Sequence, residues 1–140
     1  MIVKQVSVFV ENTVGRLADL TKILTDNNID LKASTIAETV DFGILRCIVE
    51  DPEKTVKILV ENGFSASISE VTGVSLEDKP GGLHKVLAVL AEAGIAVNYI
   101  YSTIKSAEGK AIIMMKTSDA AKAEEVLKES GVELAGADSF

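Results

Sequence analysis

Residues 11–31 read ENTVGRLADLTKILTDNNIDL, and residues 77–97 read EDKPGGLHKVLAVLAEAGIAV. At a constant offset of 66, Glu11, Gly15, Leu17, Leu24 and Ile29 meet Glu77, Gly81, Leu83, Leu90 and Ile95. Self-similarity at a fixed period in a short chain points to a duplicated unit. Further out, Gly43 meets Gly109 at the same offset, and ENGF (61–64) meets ESGV (129–132) at 68, which implies two inserted residues. The repeat divides the chain into residues 1–71 and 72–140.

Each copy has the same order of elements. Val6, Val8 and Val10 alternate with Ser7 and Phe9, as in a strand. Leu17, Leu20, Ile23 and Leu24 recur at helical spacing, and that helix fades at Asn27-Asn28. A second strand is expected over 30–39, a tight turn at Asp41-Phe42-Gly43, and a third strand in ILRCIVE. Asp51-Pro52 pairs a capping carboxylate with proline at a first helical position. Asn62-Gly63 stops that helix, and SASISEV (65–71) makes a fourth strand. In the second copy, strands are expected at 72–76, 96–104, 110–116 and 132–137. Its helices are expected at 80–93 and 119–130, the latter capped by Ser118. The predicted fold is α+β: two ferredoxin-like βαββαβ repeats, antiparallel sheets with helices on one face. Because KAIIMMK and ILRCIVE are apolar on both faces, the sheet surface away from the helices is expected to be covered, by the other repeat or a second chain.

Composition narrows the function. The chain has 140 residues, 47% of them apolar, with 14 Lys and Arg against 21 Asp and Glu, a net charge of −7. Nucleic-acid binding needs clustered cations, so no nucleic acid is expected. The longest apolar stretch is interrupted by Glu92 and too short for a bilayer, so no membrane association is expected either. The single Cys47 excludes an internal disulfide, and the alternating N-terminus lacks the pattern of a signal peptide. The expected location is cytoplasmic. Cys47 and His84 are the sole thiol and imidazole; one of each makes neither a usual zinc site nor a convincing catalytic pair. No metal and no cofactor are expected.

The loop before each first helix carries the chemistry. Pro80 suits the first helical position, and Asp78 favours the positive helix end. Gly81 and Gly82 lack a Cβ, so a ligand can approach free backbone N–H groups, a setting suited to carboxylate or phosphate. In the first copy Asn12 or Thr13 can cap, and Gly15 is the bare position.

Two copies of this pattern, each with glycine at the start of its first helix, resemble the ACT domain. DKPGGL is similar to that family's Asp/Asn-x-Pro-Gly-x-Leu loop. The resemblance covers nearly the whole chain and leaves no room in it for an enzyme domain. It implies a stand-alone tandem ACT protein, not an enzyme, that binds an amino acid or similar small carboxylate where ACT units meet and signals to a partner. The implied partners are the amino acid, a second copy in a homodimer, and an enzyme of amino-acid metabolism. In such a site the loop and helix start of one unit face the second strand of its neighbour. The loop residues implied in the first copy are Asn12, Val14, Gly15, Arg16 and Leu17, and its strand residues are Ser34, Thr35 and Ile36. In the second copy the loop residues are Asp78, Pro80, Gly81, Gly82 and Leu83, and the strand residues Tyr99, Ile100, Tyr101 and Ser102. Val14 departs from the family's proline, and Arg16 follows the glycine, where it could grip a carboxylate; Tyr99 or Tyr101 would set pocket size. The alternative is a protein-interaction or assembly module with vestigial pockets. RNA binding would require exposed aromatics and basic surface, metal carriage paired cysteines, and acyl-phosphate hydrolysis a basic phosphate loop.

Overall fold

The valine alternation forms β1 (Ile2–Glu11), turning Val6, Val8 and Val10 inward. In the computed structural model, which describes residues 2–103 and 109–139, it is followed by α1 (Arg16–Asp26), β2 (Ala33–Glu38), β3 (Phe42–Ile48), α2 (Pro52–Glu61) and β4 (Ser65–Glu77). Then come α3 (Gly82–Glu92), β5 (Val97–Ser102), β6 (Lys110–Thr117), α4 (Ala120–Glu129), β7 (Glu133–Ala135) and a 3-10 turn, Ala137–Ser139. The chain forms two units, Lys4–Ser69 and Met1–Val3 with Glu70–Phe140. Strand order is β2-β3-β1-β4 in the first unit; in the second, β4 pairs with β6 and β7, and β6 with β5. Among the described residues no helix is long and apolar enough to cross a membrane.

Each unit has its own core. Leu20 and Leu24 of α1 and Leu59 of α2 pack on Val6, Val8, Val10, Leu45 and Cys47. In the second unit Val86, Leu90 and Leu127 pack with Val74 and Met115. Full burial of one such side chain stabilises by about 1.5–3 kcal/mol. The two cores superpose in sequence: Val8, Leu20, Leu24 and Ile29 correspond to Val74, Val86, Leu90 and Ile95 at 66, and Leu59 to Leu127 at 68. Pairing registers locate the change of offset. Val10 opposes Gly43 and Leu76 opposes Ala111; Ile36 opposes Leu45 and Ser102 opposes Ile113. The inserted residues therefore lie between Ser102 and Lys110, and Gly43 corresponds to Ala111 in space rather than to Gly109.

Several local expectations are corrected. SASISEV and the strand expected at 72–76 are one continuous strand, β4, since nothing between them supplies a turn. Pro80 lies in the turn before α3, which begins at Gly82; left-handed Gly81 (φ 90°) takes the cap position. Asp119 rather than Ser118 caps α4, accepting from Lys122 N–H at 3.0 Å, and Ser118 Oγ instead accepts from Ala96 N–H at 3.1 Å. Asp51 caps α2 in the same way through Lys54 N–H. Phe42 and Gly43 belong to β3, not to a turn. The strand expected at 96–104 is described as far as Ser102, with Thr103 in an isolated bridge; Ile104 lies outside the described residues.

On the face away from the helices, Ile112 and Met114 are buried, whereas Phe9 and Phe42 stay open at 50% and 39% exposure and meet edge to face at 5.6 Å. On the helix face, Thr72 stands where the first unit has Val6, and Thr117 where it has Val49. Both hydroxyls are buried and have no hydrogen-bond partner among the described residues.

Candidate ligand-binding site

The two loops share one backbone design. Asn12 N–H donates to Asp41 O at 2.9 Å, and Asp78 N–H to Gly109 O at 3.0 Å, so each loop is tied to its own hairpin. Thr13 N–H and Lys79 N–H each donate back to the last residue of the preceding strand at 2.9 Å. Gly15 (φ 84°) and Gly81 (φ 90°) adopt the left-handed conformation that favours glycine, and a Cβ at either would meet nothing within 4 Å. The shared glycine thus has a backbone reason, and the space beside it is open.

The donors differ from the expectation. Gly82 N–H already donates to Lys79 O at 3.0 Å, and Arg16 N–H to Thr13 O at 3.3 Å. Gly82 is buried, and a Cβ there would stand 2.2 Å from Glu77 O, so its bareness serves backbone packing, not ligand approach. Arg16 occupies the same place in the first unit, where the corresponding hydrogen bond is longer. The N–H groups without an intrahelical partner are those of Leu17 and Ala18 in α1, and of Leu83 and His84 in α3. Neither helix has a side-chain cap, whereas α2 and α4 are sealed by Asp51 and Asp119.

In the first unit a cavity of about 370 Å³ opens beside this helix start. Asn12, Leu17 and Ile36 line it, joined by Val10, Glu11, Thr13, Glu38 and Gly43. Val14 is fully exposed and outside the lining. Arg16 is turned elsewhere: its Nε donates to Glu11 Oε2 at 2.6 Å, and its guanidinium lies 3.9 Å from the centroid of Phe64. That hydrogen bond holds the Glu11 carboxyl below its ordinary pKa. The arginine expected to grip a carboxylate is therefore already engaged, and it borders a different cavity with Phe9, Phe42 and Phe64.

Strand parity divides the facing residues. Ser34 and Ile36 oppose Cys47 and Leu45, core residues under the helices, so they share the helix face; Thr35 opposes Arg46 on the other face. In the second unit Ile100 and Ser102 oppose Met115 and Ile113 on the helix face. Tyr99 and Tyr101 oppose Lys116 and Met114 on the other face, stacked at 6.4 Å, with Tyr101 buried. Within the second unit both tyrosines therefore lie on the face opposite the one that α3 covers. Beside Asp78 the ionic environment also differs. Lys79 pairs with Glu77 and, with Lys85 and Lys110 nearby, keeps the Glu77 carboxyl below its ordinary pKa. Sequence reasoning did not place Val10, Glu11, Thr13, Glu38 and Gly43 in the site. A glycine within the alternation of β3 was the available signal.

Among the described residues no group of three or more His, Cys, Asp and Glu could hold a metal. Cys47 is 1% exposed, and burial pushes its thiol up to about 12. With the folded pKa raised above 9.0, stability is fully present below pH 9 and is lost as pH rises towards 12. At pH 8, alkylation by iodoacetamide is expected only when urea unfolds the first unit; rapid modification of the folded protein would contradict the burial.

The sequence matches the family model described as an ACT domain pair over residues 1–140. The chain is similar to the crystal structure of protein BT0572 from Bacteroides thetaiotaomicron, at 43% identity and TM-score 0.92 over 99% of this chain and 95% of that one. It shares its fold with the ligand-free regulatory subunit of aspartate kinase from Thermus thermophilus (14% identity, TM-score 0.66, 91% of each chain). It also shares it with E. coli aspartokinase III in complex with lysine and aspartate (17% identity, TM-score 0.51, 90% of this chain and 31% of that one). No curated protein matches the sequence.

Proposed function

We propose that this chain, which belongs to the ACT domain pair family, is a non-enzymatic regulatory module that binds a small amino acid or similar carboxylate. The observation that carries the proposal is the contrast between helix starts: α2 and α4 are closed by their own aspartates, while α1 and α3 have no side-chain cap. At α1 the uncapped start borders a cavity within the size range of small-ligand sites, about 300–1,000 Å³. The ligand carboxylate accepts from the N–H groups of Leu17 and Ala18, where the helix dipole favours negative charge. Asn12 accepts from the ammonium. An ACT unit of a second copy of this chain covers the open side, so ligand binding shifts how the copies associate through its differential affinity for two arrangements. An enzyme of amino-acid metabolism receives the output; the regulatory-subunit description of the Thermus relative supports that class of partner.

Thermal unfolding in the presence of each of the twenty amino acids tests the proposal. A ligand at 100 times its dissociation constant adds about 2.7 kcal/mol of stability. One or two amino acids giving such a shift are expected. The open Phe9–Phe42 pair favours the second reading, an assembly module with vestigial pockets. A partner protein retained through purification, with no amino acid raising the unfolding temperature, decides for that reading.

A further inference from the structure

The two helix-start regions are built alike in backbone and unlike in side chains. Along one rung of the first unit's sheet, Val10, Gly43 and Glu38 lie side by side. Gly43 contributes no side chain, and Ile36 lies across the bare position, its Cδ1 and Cγ1 at 3.1 Å from where a Cβ would be. Leu17 completes an apolar wall. Ile36 and Leu17 are 47% and 42% exposed, so both present apolar surface that a ligand side chain can cover. In the second unit Ser102 stands in the place of Ile36, Ala111 in that of Gly43 and Leu83 in that of Leu17.

Charge works against acidic ligands. The carboxylates lining the cavity are Glu11 and Glu38, and no lysine or arginine lines it. Arg16 neutralises Glu11 from outside the lining. The ion pairs among the described residues leave Glu38 without a cationic partner. An acidic ligand side chain would meet Glu38 with nothing to offset the repulsion, whereas an aliphatic one covers Leu17 and Ile36.

We propose that the Ile36–Gly43–Leu17 wall, with Glu38 at its rim, makes the first unit's pocket selective for an amino acid with an uncharged aliphatic side chain and against acidic ones. The proposal rests on the amino-acid reading above and names the ligand class for that site.

Isothermal titration calorimetry of the full chain with isoleucine, leucine, valine, aspartate and lysine tests it, alongside Ile36→Ser and Glu38→Gln. Ile36→Ser installs the residue that the second unit already carries at an exposed place, and circular dichroism checks its fold. At least one aliphatic amino acid is expected to bind at least tenfold more tightly than aspartate, and Ile36→Ser to weaken that binding tenfold or more. Glu38→Gln narrows the gap to aspartate. Aspartate or lysine binding as tightly as the aliphatic ligands overturns the selectivity while leaving the amino-acid reading intact. Aliphatic binding unchanged in folded Ile36→Ser overturns the location. No binding by any of the five, together with no stabilisation by any of the twenty in thermal unfolding, overturns both proposals.

Discussion

Gly73→Ala is expected to destabilise the protein by about 3 kcal/mol, the upper end of the usual cost of forcing extra atoms into a packed site. Gly73 pairs with Ala135, and a Cβ at Gly73 would stand 2.3 Å from Ala135 O and 3.2 Å from its carbonyl carbon. Backbone cannot swing aside as a flexible side chain can, so β7 must detach from β4. Ala135 is 1% exposed, so detachment also opens part of the second unit. Urea unfolding should show the lowered midpoint, and hydrogen exchange should show lost protection over 133–135. A Gly73→Ala protein within 0.5 kcal/mol of the parent, with β7 still protected, would refute the close approach.

Thr72→Val and Thr117→Val are expected to act in the opposite sense. Both hydroxyls are buried on the helix face without a partner among the described residues. An unsatisfied buried polar group costs about 1–3 kcal/mol, and valine has nearly the same shape as threonine. The first unit has valine at both corresponding places, in a core of the same design. Each substitution should therefore stabilise by about 1 kcal/mol or more, and the pair by at least about 2. At roughly 3–4 °C per kcal/mol for a chain of this size, calorimetry would register the double variant as a rise of several degrees. Destabilisation by both single variants would instead mean that a buried water satisfies the hydroxyls and is lost with them.

The contrast between Gly73 and the two loop glycines shows how far local sequence reaches. Gly15 and Gly81 repeat at 66 ahead of equivalent helices, and that spacing alone identified the duplicated loop. Their left-handed φ follows from local turn geometry, which neighbouring residues set. Gly73 sits in an apolar strand with no local sign of its purpose, which depends on Ala135, 62 residues away. Gly82 is similar: its neighbours made it look like an open approach to the backbone, and only the position of Glu77 O shows that it is packed. Arg16 looked free to meet a ligand until Glu11 and Phe64 were seen to hold it.

Sequence by itself determined the duplication, the order of elements within each copy, and the inward rows Val6-Val8-Val10 and Leu20-Leu24, because periodicity of 2 or 3.6 is a property of neighbouring residues. Tertiary structure decided what strand register controls: that Ala111 rather than Gly109 stands in the place of Gly43, that Tyr99 and Tyr101 lie on the face away from α3, and that Val10, Glu38 and Ile36 meet around one cavity. Register is fixed by pairing between distant segments, and a shift of one residue turns a side chain to the opposite face. The two inserted residues between Ser102 and Lys110 hid the match of Ala111 to Gly43 from a comparison at constant offset.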